Sequence, residues 1–239
     1  MTYPFYEVEV IKIIDETAMV KRFYFKVSPD EKFEFKAGQF VMLDLPLDSR
    51  VITRSYSIAS APTDDTLFEI CAALKADGQG TPWLWKNLKV GTKLRCSEAV
   101  GKFILPESIN HDLCFIATGT GIAPLRSMIM DIYAKKMLHK NIYLIFGNRW
   151  AKDILYRTEF EELQVLHPEF KFIPVLSRET SIVGEGRLGY VHQVYQELFA
   201  NQRKAHFYLC GWSAMVREAQ ANLKGMGYTK SEIKLELYD

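Results

Sequence analysis

Leu113-Cys114-Phe115-Ile116-Ala117-Thr118-Gly119-Thr120-Gly121-Ile122-Ala123-Pro124-Leu125 is the stretch that decides the fold. The run Leu113–Ala117 reads as an apolar strand, and Leu125, Met128, Ile129, Ile132 and Tyr133 recur at helical spacing after it. Between them lies a glycine-rich turn. Such a turn offers backbone N–H groups and a helix N-terminus to a pyrophosphate. Its glycine spacing departs from the G-x-G-x-x-G of the usual dinucleotide fingerprint. Pro124 near the helix start costs little, because N–H groups there lack intrahelical partners.

The same alternation continues downstream. Apolar strands are expected at Ile142–Gly147, Phe172–Ser177, His206–Gly211 and Ile233–Leu237, separated by amphipathic helical segments. In one of these Val191, Val194, Tyr195, Leu198 and Phe199 share a face. Five apolar strands alternating with helices predict an α/β doubly wound parallel sheet. Upstream, to about Phe103, the pattern differs. Short β-branched and aromatic runs at Tyr6–Ile14, Lys21–Val27, Gln39–Leu45, Arg54–Ser60, Phe68–Ala73 and Lys93–Ser97 predict a small antiparallel β-barrel. One helix, from about Pro82 to Asn87, interrupts it just after Gly78-Gln79-Gly80-Thr81. The link near Leu105-Pro106-Glu107-Ser108 marks the expected boundary, giving domains 1–106 and 107–239.

Composition narrows the functional classes. With 239 residues, nearly half of them hydrophobic, the chain has material for sizeable cores. Its 30 basic and 29 acidic residues argue against a nucleic-acid protein defined by bulk charge. The start, Met1-Thr2-Tyr3-Pro4-Phe5-Tyr6-Glu7, has no basic n-region or apolar h-region, and no later run would span a bilayer. The expectation is a cytoplasmic protein without membrane association. Cys71, Cys96, Cys114 and Cys210 are scattered, with no spacing suited to zinc or an iron–sulfur cluster, so no metal is expected. The residues carry no signal for the oligomeric state.

Arg54-Ser55-Tyr56-Ser57 is the second chemical motif. Strand geometry puts Arg54 and Tyr56 on one face and Ser55 and Ser57 on the other. An arginine fork suits phosphate oxygens, and an aromatic ring can stack on a flat heterocycle. Read alone, the motif is better taken as an edge strand with an exposed arginine and a packed tyrosine. Gly78-Gln79-Gly80-Thr81 offers a further anion cradle, or simply a turn.

Taken in order, these motifs resemble the ferredoxin–NADP⁺ reductase family over nearly the whole chain. The family's RxYS motif stands as Arg54-Ser55-Tyr56-Ser57 and its pyrophosphate segment as Gly78-Gln79-Gly80-Thr81. The nucleotide turn is Gly119-Thr120-Gly121-Ile122-Ala123-Pro124, and the late Cys-Gly is Cys210-Gly211. The resemblance implies that Arg54 pairs with flavin phosphate, Tyr56 stacks on the isoalloxazine and Ser57 lies near its N5. Backbone groups around Gly78, Gly80 and Thr81 would hold the FAD pyrophosphate. Thr118, Gly119, Thr120 and Gly121 would do so for the dinucleotide. Cys210, with Gly211, would stand beside the nicotinamide; without the other motifs it reads as a core cysteine. The tail Glu236-Leu237-Tyr238-Asp239 resembles the Glu-x-Tyr terminus of plant-type members, whose aromatic ring covers the flavin, although Asp239 follows the tyrosine here. A plain surface tail is the competing reading.

Cofactor choice turns on charge. Ser177-Arg178-Glu179 follows a sheet strand, with Arg149 and Arg187 at neighbouring loop positions. Cations there suit the 2′-phosphate of NADP(H), whereas an acid would suit the ribose hydroxyls of NADH. A solvated rim of arginines is the alternative. The expected function is hydride transfer between NADPH and FAD, with single electrons exchanged with a separate ferredoxin or flavodoxin. Catalytic roles fall to Ser57, Cys210, Glu236 and Tyr238. The alternatives are an NADH-dependent reductase component of an oxygenase, or a flavin-binding electron-transfer subunit of a larger complex.

Overall fold

The computed structural model describes residues 4–28, 31–64, 66–181 and 186–238. The chain divides into two compact units, Met1–Leu105 with Arg126–Lys136, and Pro106–Leu125 with Met137–Asp239.

In the first unit β1 (Phe5–Thr17), β2 (Val20–Val27), β3 (Phe40–Leu47), β4 (Arg50–Ser57), β5 (Leu67–Ala73) and β6 (Lys93–Ser97) form one antiparallel sheet in the order β4-β3-β6-β1-β2-β5. An isolated bridge between Ile58 and Ile70, with Ala59 N–H donating to the Glu69 carbonyl at 2.7 Å, joins the two ends into a barrel. Closure removes the exposed edges that would otherwise recruit other strands. Alternation explains the filling: Val8 and Val10, Phe23 and Phe25, Val41, Leu43 and Leu45, Phe68 and Ile70 all face inward. Helix α1 (Gly80–Asn87) contributes Leu84 to this core, and its Trp85 ring meets Phe23 edge-on at 5.8 Å.

A buried charge sits in the same unit. Glu69, 2% exposed, accepts from Arg22 Nε at 2.7 Å and from Arg126 Nη1 at 3.4 Å, while Arg126 also donates to the Ala59 carbonyl at 2.7 Å. Desolvating a carboxylate this far is tolerated only because two guanidiniums face it.

The second unit holds a parallel sheet of β7 (Asp112–Thr118), β8 (Ile142–Asn148), β9 (Phe170–Leu176), β10 (Arg187–Leu188), β11 (Ala205–Trp212) and β12 (Ile233–Tyr238), in the order β10-β9-β8-β7-β11-β12. The sheet has one strand more than the five expected. β10 has only two residues, paired with Val175 and Leu176, and is too short to leave a periodic signal. Helix α2 (Ile122–Ala134) follows the glycine turn and from Arg126 onward is grouped with the first unit, whereas α3 (Arg157–Leu166), α4 (Val191–Leu198) and α5 (Ser213–Gly225) lie in the second. Helices α4 and α5 bury Val194, Tyr195, Val216 and Leu223 in the same cluster as Cys114, Ile116, Ile145 and Leu209. On the opposite face Phe160 of α3 packs on Phe172, ring centroids 5.3 Å apart. Among the described residues no helix is long and apolar enough to cross a membrane.

Candidate functional site

In the first unit the strand motif and the helix-entry turn come together. Arg54, Ser55, Tyr56 and Ser57 lie on β4 opposite Leu43, Met42, Val41 and Phe40 of β3. Ser55 is exposed and Ser57 is buried, whereas Tyr56 is half-buried and packs on the barrel core. A Cβ on Gly80 would stand 3.0 Å from Arg54 Cγ and 3.4 Å from the Tyr56 hydroxyl, so the start of α1 lies directly over this face. Burial pushes the Tyr56 phenol up to about 12, with Arg54 acting the other way, and the ring stays neutral. The Arg54 guanidinium donates to the Thr53 carbonyl at 2.9 Å and has no acidic partner among the described residues. It is a cation left available for an anion.

Local hydrogen bonds fix the turn. Gly78 N–H donates to the Lys75 carbonyl at 2.9 Å, and Lys75 N–H donates to Thr81 Oγ1 at 2.9 Å. The Thr81 hydroxyl is therefore spent on closing the loop. Arg50 reaches Gln79 Oε1 at 3.0 Å. No side chain caps α1, which leaves its first N–H groups as donors for an anion. Free guanidinium, neutral ring and uncapped helix start form a donor set that fits a phosphate-bearing flavin.

The second unit builds its site from backbone. Gly119–Gly121 makes a single 3₁₀ turn between β7 and α2. Gly119 has φ +54°, a left-handed conformation that favours glycine, and a Cβ there would meet nothing within 4 Å. That open space lets a ligand approach the backbone there. Gly121 has the opposite character, because a Cβ would overlap the Cys210 carbonyl and Gly211 Cα. Gly211, φ +131°, would collide with Thr118 through both backbone and hydroxyl. Thr118 Oγ1 in turn accepts Trp212 N–H at 3.0 Å. Hence Thr118, Gly119, Gly121, Cys210 and Gly211 converge at the carboxyl edge of the sheet, the edge where open α/β sheets bind ligands. Thr120 lies within the same turn.

The tail runs beside them as β12, in parallel register with Cys210 opposite Glu236 and Trp212 opposite Tyr238. Ser213 Oγ donates to the Tyr238 carbonyl at 3.3 Å. Burial pushes the Cys210 thiol well up and the Glu236 charge adds to this, while a side-chain hydrogen bond with Tyr238 opposes it. Cys210 is thus a neutral thiol, soft and not a nucleophile. Asp239 lies outside the described residues.

The candidate cations separate into two kinds. Ser177 N–H donates to the Asn148 carbonyl and Arg178 N–H to the Arg149 carbonyl, both at 3.0 Å, so Arg149 and Arg178 stand side by side. Both side chains are exposed and neither has an acidic partner among the described residues. Arg187 is engaged elsewhere, with Nη1 2.6 Å from Glu197 Oε2 of α4. Sequence reasoning missed Trp212, 68% exposed directly after Gly211. Its place in the Cys-Gly segment was the available signal. It also missed the buried Glu69 pairing, whose partners are 47 and 57 residues away and leave no local pattern.

Comparisons with known proteins agree with this geometry. A family model described as an oxidoreductase FAD-binding domain matches residues 7–104, and one described as an oxidoreductase NAD-binding domain matches residues 115–221. Ferredoxin–NADP reductase B of Sorangium cellulosum is 31% identical over 242 residues, covering 98% of each chain. The reductase component DmpP of phenol 2-monooxygenase from Pseudomonas sp. is 32% identical over 219 residues, covering 90% of this chain but 60% of that protein. A crystal structure of a ferredoxin NADP⁺ reductase from Neisseria gonorrhoeae with bound FAD and NADP superposes with a TM-score of 0.84 at 25% identity, over 98% of each chain. Two cofactor domains in the expected order, and a relative aligned end to end, settle the affiliation: the chain belongs to the ferredoxin–NADP reductase family of flavoenzymes.

Proposed function

We propose that this flavoenzyme exchanges a hydride with NADPH in preference to NADH, and single electrons with a separate ferredoxin or flavodoxin in the cytoplasm. FAD would be held by residues 1–106 and the nucleotide by residues 107–239. When bound, the flavin supplies the conversion between two-electron and one-electron chemistry. The chain's own residues orient and screen. Arg54 would pair with flavin phosphate, Tyr56 would present a neutral ring, and the N–H groups of Gly80 and Thr81, in the turn that Gly78 closes, would take the pyrophosphate. Ser57 would hold a proton near the reactive ring nitrogen. Thr118, Gly119, Thr120 and Gly121 would cradle the dinucleotide, while Cys210 and Gly211 would set the nicotinamide position. Glu236 and Tyr238 would flank that thiol, and Arg149, Ser177 and Arg178 would take the 2′-phosphate with Arg187 at their rim.

The observation that carries this reading is the convergence of the Gly119–Gly121 turn on Cys210, so close that no Cβ fits between them. Catalysis in such a site is chiefly positioning, since aligning reactants replaces a bimolecular encounter. The neutral thiol supports a shaping role for Cys210 over covalent chemistry. The preference for NADPH is supported by the paired, partnerless Arg149 and Arg178. Anaerobic titration of the yellow protein tests the reading. NADPH should bleach the flavin at lower concentration than NADH, and Arg178→Ala should weaken NADPH far more than NADH.

A second reading has its own support. Phenol 2-monooxygenase reductase DmpP and similar oxygenase reductase components match at comparable identity, although the chain spans only 60% of DmpP. A chain of that kind would serve an oxygenase and favour NADH. Bleaching by NADH at the lower concentration, unaffected by Arg178→Ala, would favour it.

A further inference from the structure

Glu179 is an acid set directly beside the candidate cation Arg178, and its position bears on how that loop discriminates. β8 and β9 pair regularly as far as Asn148 and Leu176. Beyond them the chain adds the Ser177–Asn148 and Arg178–Arg149 backbone bonds, both 3.0 Å. Glu179 completes this series with its side chain, Oε1 accepting Ala151 N–H at 2.9 Å. Ala151 opens the one-turn 3₁₀ helix Ala151–Asp153, whose first N–H has no partner within the turn. Glu179 is half-buried, whereas Arg149 and Arg178 on either side of the bond are exposed. The carboxylate is therefore turned onto backbone, and the guanidiniums are left to solvent.

We propose that Glu179 is a positioning residue for recognition of a 2′-phosphate. It clamps the Ala151 backbone and so fixes Arg149 beside Arg178, and it does not itself bind a ribose hydroxyl. The inference rests on the NADPH reading above and explains how an acid is tolerated in a site built for an anion. A free carboxylate beside a phosphate would repel it, whereas one that accepts a backbone N–H both spends its acceptor and stiffens the loop carrying the cations. Arg187 pairs with Glu197, so the clamp bears on Arg149 and Arg178, whose spacing it fixes.

The sign of the response separates the two roles of Glu179. Calorimetric titration of the flavin-loaded protein with adenosine 2′,5′-bisphosphate and with adenosine 5′-monophosphate isolates the 2′-phosphate from the rest of the nucleotide. Glu179→Ala should weaken the bisphosphate about five-fold, as expected for a lost capping bond, and leave the monophosphate unchanged. Glu179→Gln keeps the acceptor without the charge, so it should bind the bisphosphate as well as the parent or better. Exchange of the Ala151 amide proton should accelerate in the alanine variant alone. Tighter bisphosphate binding in both variants, or a matching loss for the monophosphate, would overturn the inference and make Glu179 a repulsive or hydroxyl-binding acid. Parent protein that binds both ligands equally would instead overturn the NADPH reading on which it rests. The parent titration thus judges the reading, and the pair of variants judges the clamp.

Discussion

The two glycine turns, Gly78–Thr81 and Gly119–Gly121, each lead into a helix but are built by different means. In the first, side chains supply the chemistry: Arg54 and Tyr56 lie beneath Gly80, whose missing Cβ clears a flexible arginine stem. In the second, backbone supplies it. Gly121 and Gly211 interlock with Cys210 and Thr118 through atoms that have no rotamer to change. The difference teaches where each unit tolerates substitution. A side-chain site fails in affinity when altered, and a backbone site fails in structure.

Gly211→Ala should break the comparison most sharply. It puts a Cβ at φ +131° and drives it into Thr118, and each of these costs about 1–3 kcal/mol. Thermal unfolding should show a marked loss of stability together with lost nucleotide binding; a parent-like melting curve would mean the interlock is not rigid. Arg54→Ala comes next and should spare stability. Losing a charge-assisted bond to phosphate removes about 1.5–3 kcal/mol, so flavin affinity should drop ten-fold or more in equilibrium dialysis. Retention of flavin equal to the parent's would exclude Arg54 as the anchor.

Mild acid should also separate the units, because all five histidines lie in the second, at positions 111, 139, 167, 192 and 206. Burial holds His111, His192 and His206 below the ordinary value of 6.5; Glu232 near His111 and His206, and Glu218 near His192, partly oppose this. The unfolded chain then takes up protons first as pH falls. The stability these groups contribute is present above about 6.5 and is lost through their lower folded values. Hydrogen exchange at pH 7 and pH 5 should show the parallel sheet loosening while the barrel strands hold. Uniform loosening would contradict this. The smallest effect is expected for Gly80→Ala, where a Cβ meets Arg54 Cγ at 3.0 Å and the arginine can shift. Its cost should stay below about 1 kcal/mol, because alanine regains helix propensity, and a larger loss would mean that Arg54 is locked.

Much of this was legible in the chain. Period-two runs marked the six barrel strands, and β4 carries Arg54 and Tyr56 on one face, as alternation requires. Apolar runs flanked by helical repeats marked five parallel strands within two residues of their ends. The motif Gly119-Thr120-Gly121 announced a turn that approaches something closely. These features are local, since side-chain order along an extended or helical backbone fixes which face is apolar.

Tertiary structure alone decided what lies on the far side of each contact. It gave Gly121 its neighbour Cys210, 89 positions later in the chain. It turned Glu179 onto Ala151 and paired Arg187 with Glu197. It placed Glu69 between Arg22 and Arg126, and made a two-residue strand of Arg187–Leu188. The physical reason is the same throughout. Residue type and spacing determine what a segment can offer, but a hydrogen bond, a charge pair or a forbidden Cβ depends on atoms brought near by closure of the sheet.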